Sequence, residues 1–123
     1  MAAPNLKAPT TINGKTAVVA LSSTSETSLL SNASSSGKAL RVTSLFVSNV
    51  DGTNNAAITV KYYNAASGGT GYALANTLTV PADSTVVILT REQSVWLEEN
   101  RSLRVTASAA NDLNVVCSYE EVS

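Results

Sequence analysis

The chain has 123 residues, of which 14% are charged, with a formal net charge of −1, no histidine and a single cysteine, Cys117. That length fits one domain and is sufficient to bury a core without disulfide staples. The charge balance offers no basic footprint for nucleic acid or an anionic membrane, and the missing histidines and lone cysteine leave no internal disulfide, no multi-cysteine metal site and no ordinary proton carrier near neutral pH.

In chain order, Met1 to Lys7 carries no apolar run behind its first positive charge, which argues against a secretory signal and for a cytoplasmic origin. Pro4 and Pro9 fix their own φ and bias the residues before them toward extended conformations. Residues 1–15 are therefore expected to form an extended N-terminal arm, and residues 16–123 a single β-sandwich domain. Asn13-Gly14 is a turn signal, after which Thr16 to Leu21 reads as a strand, with a weaker strand at Thr27 to Leu30. The serine-rich stretches Ser22 to Ser25 and Ser34 to Gly37 favour loops, because their hydroxyls compete for backbone hydrogen bonds.

Ala39 to Val50 is apolar, but its alternation slips: Leu40 and Val42 share one phase, Leu45 and Val47 the other. A bulge near Thr43-Ser44, or a strand covered on both faces, reconciles the halves. Asp51 to Asn55 predicts a loop, Ile58, Val60 and Tyr62 a strand, and Ser67 to Gly71 another loop. Tyr72, Leu74, Leu78 and Val80 are expected to point inward from a strand that Pro81 ends, and Val86 to Leu89 to form a buried strand. Arg91-Glu92-Gln93 suits a single helical turn. Val95 and Leu97 lead into a turn at Glu98 to Asn100; Leu103, Val105 and Ala107, then Leu113, Val115, Cys117 and Tyr119, alternate with polar positions about a turn at Asn111-Asp112. That pattern predicts a hairpin with one apolar face. Roughly eight strands give an all-β antiparallel β-sandwich, jelly-roll-like or Ig-like.

Several stretches imitate chemistry. Ser34 to Lys38 resembles the end of a phosphate-binding loop, but Asn32 and Ala39 stand where a glycine and a Ser or Thr are needed. Asp51, Asn54 and Asn55 carry oxygens suited to calcium, yet a turn calls for the same residue types. Glu98-Glu99 and Glu120-Glu121 are adjacent pairs that point to opposite faces of an extended chain, so neither makes a catalytic dyad. Asn32-Ala33-Ser34 and Asn100-Arg101-Ser102 match the glycosylation sequon without a secretion signal to bring it into use. Cys117 falls on an apolar phase and reads as a small core residue. No catalytic, cofactor-binding or metal-binding residue is expected, and hence no enzyme. Trp96 is out of phase with Val95 and Leu97: it is either an exposed anchor or the mark of a second covered face.

The runs SLFVSNVDGTNNAAITVKYYN, TLTVPADSTVVIL and SVWLEENRSLRVTASAANDLNVVCSYEE, with phrases such as Ser102-Leu103-Arg104-Val105 and Ser118-Tyr119-Glu120, carry a resemblance. The chain resembles small β-sandwich virion structural proteins of tailed bacteriophages, marine cyanophage-like and of the capsid decoration or cement type. The resemblance implies a subunit on the capsid surface, assembled in the host cytoplasm, with the major capsid protein or other virion proteins as partners, self-association into a homo-oligomer admitted, and no nucleic acid or membrane partner. A neck or tail ring subunit and a carbohydrate-binding module built on Trp96 are the alternatives. Pro4, Leu6, Pro9 and Trp96 are the candidate protein-interface residues.

Overall fold

The computed structural model describes residues 3–123; Met1 and Ala2, the start of the expected arm, lie outside the described residues. The strands are β1 (Ile12–Ala20), β2 (Thr27–Asn32), β3 (Ala39–Asn49), β4 (Ala56–Tyr63), β5 (Gly71–Val80), β6 (Thr85–Leu89), β7 (Val95–Leu97), β8 (Arg101–Ala107) and β9 (Leu113–Val122). Arg91–Gln93 forms the expected single turn, as a 3-10 helix between β6 and β7.

All pairings are antiparallel and divide the strands into two sheets, one ordered β1-β9-β3-β6 with β7 also on β3, the other β2-β8-β4-β5. β6 pairs with Leu45 to Ser48 and β7 with Leu40 to Val42, so the two are pieces of one edge strand interrupted by the 3-10 turn. Counted so, the first strand pairs with the last, the second with the next to last, and so inward to the central β4–β5 pair. This nested pairing is that of a jelly roll, which decides between the two sandwich types expected from the sequence. The core between the sheets holds Leu21, Leu45, Ile58, Leu97, Leu103 and Leu113 together with Val42, Val47, Val60, Val80, Val105 and Val115, all essentially without solvent contact.

Several local expectations hold. The register of β3 against β9 shifts between Val42 and Ser44, which is the bulge the phase slip called for, and Thr43 Oγ1 donates to the Ser118 carbonyl across it. Asp51 accepts hydrogen bonds from the Thr53 and Asn54 amides, and these hold its carboxyl below the usual range; the residue closes a turn. Cys117 is buried, and burial pushes its thiol up to about 12.

Five expectations are corrected. Asn13-Gly14 does not turn: β1 begins at Ile12, and Asn13 and Gly14 sit opposite Glu121 and Glu120, because pairing with β9 overrides the local turn preference. The arm accordingly ends at Thr11, and it is not extended throughout, since Asn5 Oδ1 accepts from the Lys7 amide and the Asn5 carbonyl from the Ala8 amide, which turns the chain back. β8 and β9 are not a hairpin: β8 lies between β2 and β4, β9 between β1 and β3, so Val105 and Val115 face one core from opposite sheets. Period-2 alternation looks the same in both arrangements. Tyr72, Leu74 and Leu78 are exposed, leaving Val80 as the buried residue of β5, because this edge strand shifts register twice against β4 and Thr77 takes a positive φ of 52°. β6 is likewise covered on one side only, with Val87 59% exposed.

Candidate interaction surface

The two outer faces of the sandwich differ. Over the β2-β8-β4-β5 sheet, the loop after β4 folds back and is held by Arg104, whose Nη2 donates to the Gly68 and Ala65 carbonyls while its guanidinium lies 3.7 Å from the Tyr63 ring centroid. Glu26 accepts from the Tyr63 hydroxyl and faces Arg104 at 3.7 Å. The hydrogen bond to Glu26, with burial and the nearby negative charge, raises the tyrosine pKa. Gly71 packs so closely on the Tyr63 ring that a Cβ there would come within 2.7 Å of it. Around Arg104 and Tyr63 this face is satisfied from within the chain.

The outer face of the β1-β9-β3-β6 sheet is not. Val18 pairs with Val116, Val116 with Phe46, and Phe46 with Val87, so one apolar row crosses all four strands. Val18 is 71% exposed, Val87 59%, and Phe46 and Val116 are half-buried. The flanking rows, Thr16-Ser118-Ser44 and Ala20-Asn114-Ser48-Thr85, are uncharged. Charge begins one row further on, where Arg41 meets Glu120 at 3.8 Å.

Trp96 sits opposite Arg41 on this same face and is 39% exposed, flanked by fully buried Leu97 and half-buried Val95. It is the outward member of a short inward-facing strand, and it shares a recess with the N-terminal segment. Ala3, Pro4 and Leu6 line, with Ala39, Trp96 and Glu98, an open apolar recess of about 320 Å³. Three of the four candidate interface residues, Pro4, Leu6 and Trp96, thus come together; Leu6 remains 55% exposed. Pro9 does not line the recess, and sits half-buried just before the point where the Thr10 and Thr11 amides donate to the Ser123 carbonyl. Sequence reading missed the Val18 row. Its signal was there: Val18 and Val116 are valines on phases otherwise held by Thr16, Asn114 and Ser118.

At the sheet end beneath the recess, Glu121 lies between Lys15 Nζ at 3.1 Å and Lys38 Nζ at 3.2 Å. Burial pushes its carboxyl pKa up, but the hydrogen bonds and charges of the two lysines outweigh this and hold it below the ordinary 4.5. A lowered folded-state value means that this stabilisation is fully present above pH 4.5 and is lost as pH falls through the lowered value. The thermal midpoint of a Glu121→Gln variant is therefore expected to fall less steeply than that of the parent chain on acidification below pH 4.5.

No protein-family model and no curated protein sequence matches the chain. Among solved structures it is similar to a chain of the disulfide-linked pili that form Bacillus endospore appendages, with a TM-score of 0.53 and 14% identity over 92% of this chain and 88% of that one. It is also similar to a chain of the acid-stable capsid of Helicobacter pylori bacteriophage KHP30, with a TM-score of 0.50 and 12% identity over 94% and 90% of the two chains. At these identities the likeness is one of fold: the β-sandwich of this chain is of a kind found in a phage capsid and in a pilus.

Proposed function

We propose that the chain is a non-enzymatic virion structural protein, a decoration or cement subunit that adds to the major capsid protein lattice of a tailed phage and stabilises the head. The observation that carries this reading is the outer face of the β1-β9-β3-β6 sheet, which holds both an uncharged apolar row and, two rows along, the Trp96 recess. Such a surface suits burial against a neighbour, and a half-exposed tryptophan beside proline and leucine has the make-up of an interface anchor. The capsid likeness supports the setting. The carbohydrate-binding alternative draws less support, since Tyr62, Tyr63 and Tyr72 lie on the other sheet and form no platform around Trp96.

Purified protein is expected to add saturably and stoichiometrically to particles that lack it and to raise their resistance to heat. Trp96→Ala should lower occupancy roughly tenfold or more while the chain stays folded. Deleting residues 2–9 should weaken attachment with little change in thermal midpoint, because this segment contributes no strand and no fully buried side chain among the described residues. Density confined to the neck or tail in an electron-microscopy map would replace this reading with the ring-subunit one.

A further inference from the structure

Of the four edges of the two sheets, three are blunted. β5 shifts register twice and carries Thr77 in the left-handed region. β2 has six residues and a register shift between Ser28 and Leu30. The β6–β7 edge is cut by the 3-10 turn. These are the usual means by which an edge is kept from pairing with another chain. β1 has none of them: it runs nine residues in unbroken register with β9 and contains no proline. Its one charged residue, Lys15, is engaged by Glu121.

The hydrogen-bond parity of β1 is fixed at both ends. Thr11 and Ser123 exchange amide and carbonyl bonds, and the Leu21 amide donates to the Leu113 carbonyl. Odd-numbered residues therefore bond to β9, and Ile12, Gly14, Thr16, Val18 and Ala20 turn their N–H and C=O groups to the free edge. The side chains of these five lie on the same outer face as the apolar row.

We infer that β1 is a docking edge for a second copy of this chain, the two β1 strands pairing antiparallel about a two-fold axis at Thr16. This register satisfies all five free N–H groups of each copy, about ten hydrogen bonds in all. It places Thr16 opposite Thr16, Ile12 opposite Ala20, and Gly14 opposite Val18. Above Gly14 there is nothing within 4 Å of where a Cβ would stand, so the 71% exposed Val18 of the second copy enters open space. Lys15 falls opposite Ala17; moving the axis by one residue, to Lys15, would set two lysines face to face, which is unfavourable. The two outer faces then become one continuous surface, with an apolar row from each copy. The inference stands apart from any capsid role and concerns the protein alone in solution.

Sedimentation equilibrium of the full chain tests it. The parent protein is expected to dimerise, and Thr16→Asp and Thr16→Lys each to weaken the dimer tenfold or more, since each sets like charges opposite one another at the axis. An equimolar mixture of the two variants should regain dimer, because the carboxylate introduced in one chain then faces the ammonium introduced in the other. Thr16→Pro, which removes an N–H that β9 does not use, should also abolish the dimer while the thermal midpoint changes little; if it fails to fold, the charge pair carries the test. A parent chain monomeric at concentrations on the order of 1 mM, or dimers that persist in both charged variants, would overturn the inference.

Discussion

Val105→Asp is expected to abolish soluble folded protein. Val105 has no solvent exposure and lies at the centre of β8, opposite Thr27 on β2 and Val60 on β4, with the other sheet above it. A carboxylate placed there finds no cation and no donor, and either it stays charged at a cost of several kcal/mol or it takes a proton and still leaves polar atoms unpartnered. Net stabilities of small domains are about 5–15 kcal/mol, so a loss of this size removes most of the folded population. The neighbouring Thr106 projects from the opposite face and is only half-buried. Thr106→Asp should cost less than about 1 kcal/mol, as surface substitutions do. Expression yield and circular dichroism of the two variants, compared side by side, check the register of β8: equal damage from both would mean that the strand is shifted by one residue.

Asn49→Ala is expected to lower stability by roughly 2–4 kcal/mol, a fall in thermal midpoint of about 10–15 °C. Asn49 ends β3 and is buried. Its Nδ2 donates to the carbonyls of Asn54 and Val80, both at 2.9 Å, and its Oδ1 accepts from the Asp51 amide at 2.9 Å. One side chain thereby ties the β3–β4 loop to the end of β5. Alanine leaves all three groups without their partner, and the bond to the Val80 carbonyl, which is buried, is the one that water replaces least well. Asn49→Asp should be no better, since it keeps the acceptor and loses both donors. The contrast is Asn54→Ala, whose exposed amide bonds only to Asp51 and whose loss should change the midpoint by about 2 °C or less. A chemical denaturation series on the three variants checks the order.

Alternation revealed most of the strands and their buried faces, because burial between two sheets enforces period 2 wherever a strand is central. Leu103, Val105, Leu113, Val115 and Cys117 are all buried as that pattern requires, and even the phase slip in β3 correctly marked a bulge. Which strands pair was illegible. The consecutive strands β8 and β9 carry the same pattern whether they lie side by side or face each other, and the partners chosen depend on residues far away in the chain. Edge strands were misread for a related reason: Tyr72, Leu74 and Leu78 are apolar, but nothing local says that their strand lies at a sheet edge and shifts register twice against β4. Asn32 shows the same limit for polar groups. In the sequence it stands out only in a sequon and in a failed phosphate-loop pattern, whereas its amide is buried, donating to the Lys38 and Leu97 carbonyls and accepting from the Ser36 hydroxyl. Pro4, Leu6 and Trp96 stood out as unusual residues, but their convergence on one recess arises from the turn at Asn5 and from β7 lying on β3, and neither is visible in composition or period.

The nested pairing of the strands also governs how the chain reaches its fold. Among the described residues, β4–β5 is the one ladder that joins consecutive strands, whereas Thr11 and Ser123, at the ends of the outermost ladder, are 112 positions apart. Each more distant pairing requires a longer loop to be closed before any contact rewards it, so such topologies fold in milliseconds to seconds, not microseconds. The order that loses least entropy at each step starts at the β4–β5 hairpin and proceeds outward, with β1 and β9 meeting last. Until they meet, β9 presents a bare, valine-rich margin to the surrounding solution. Crowding during synthesis is then a hazardous stage, and the closing of the first strand onto the last covers the β9 margin and passes the sheet edge to β1.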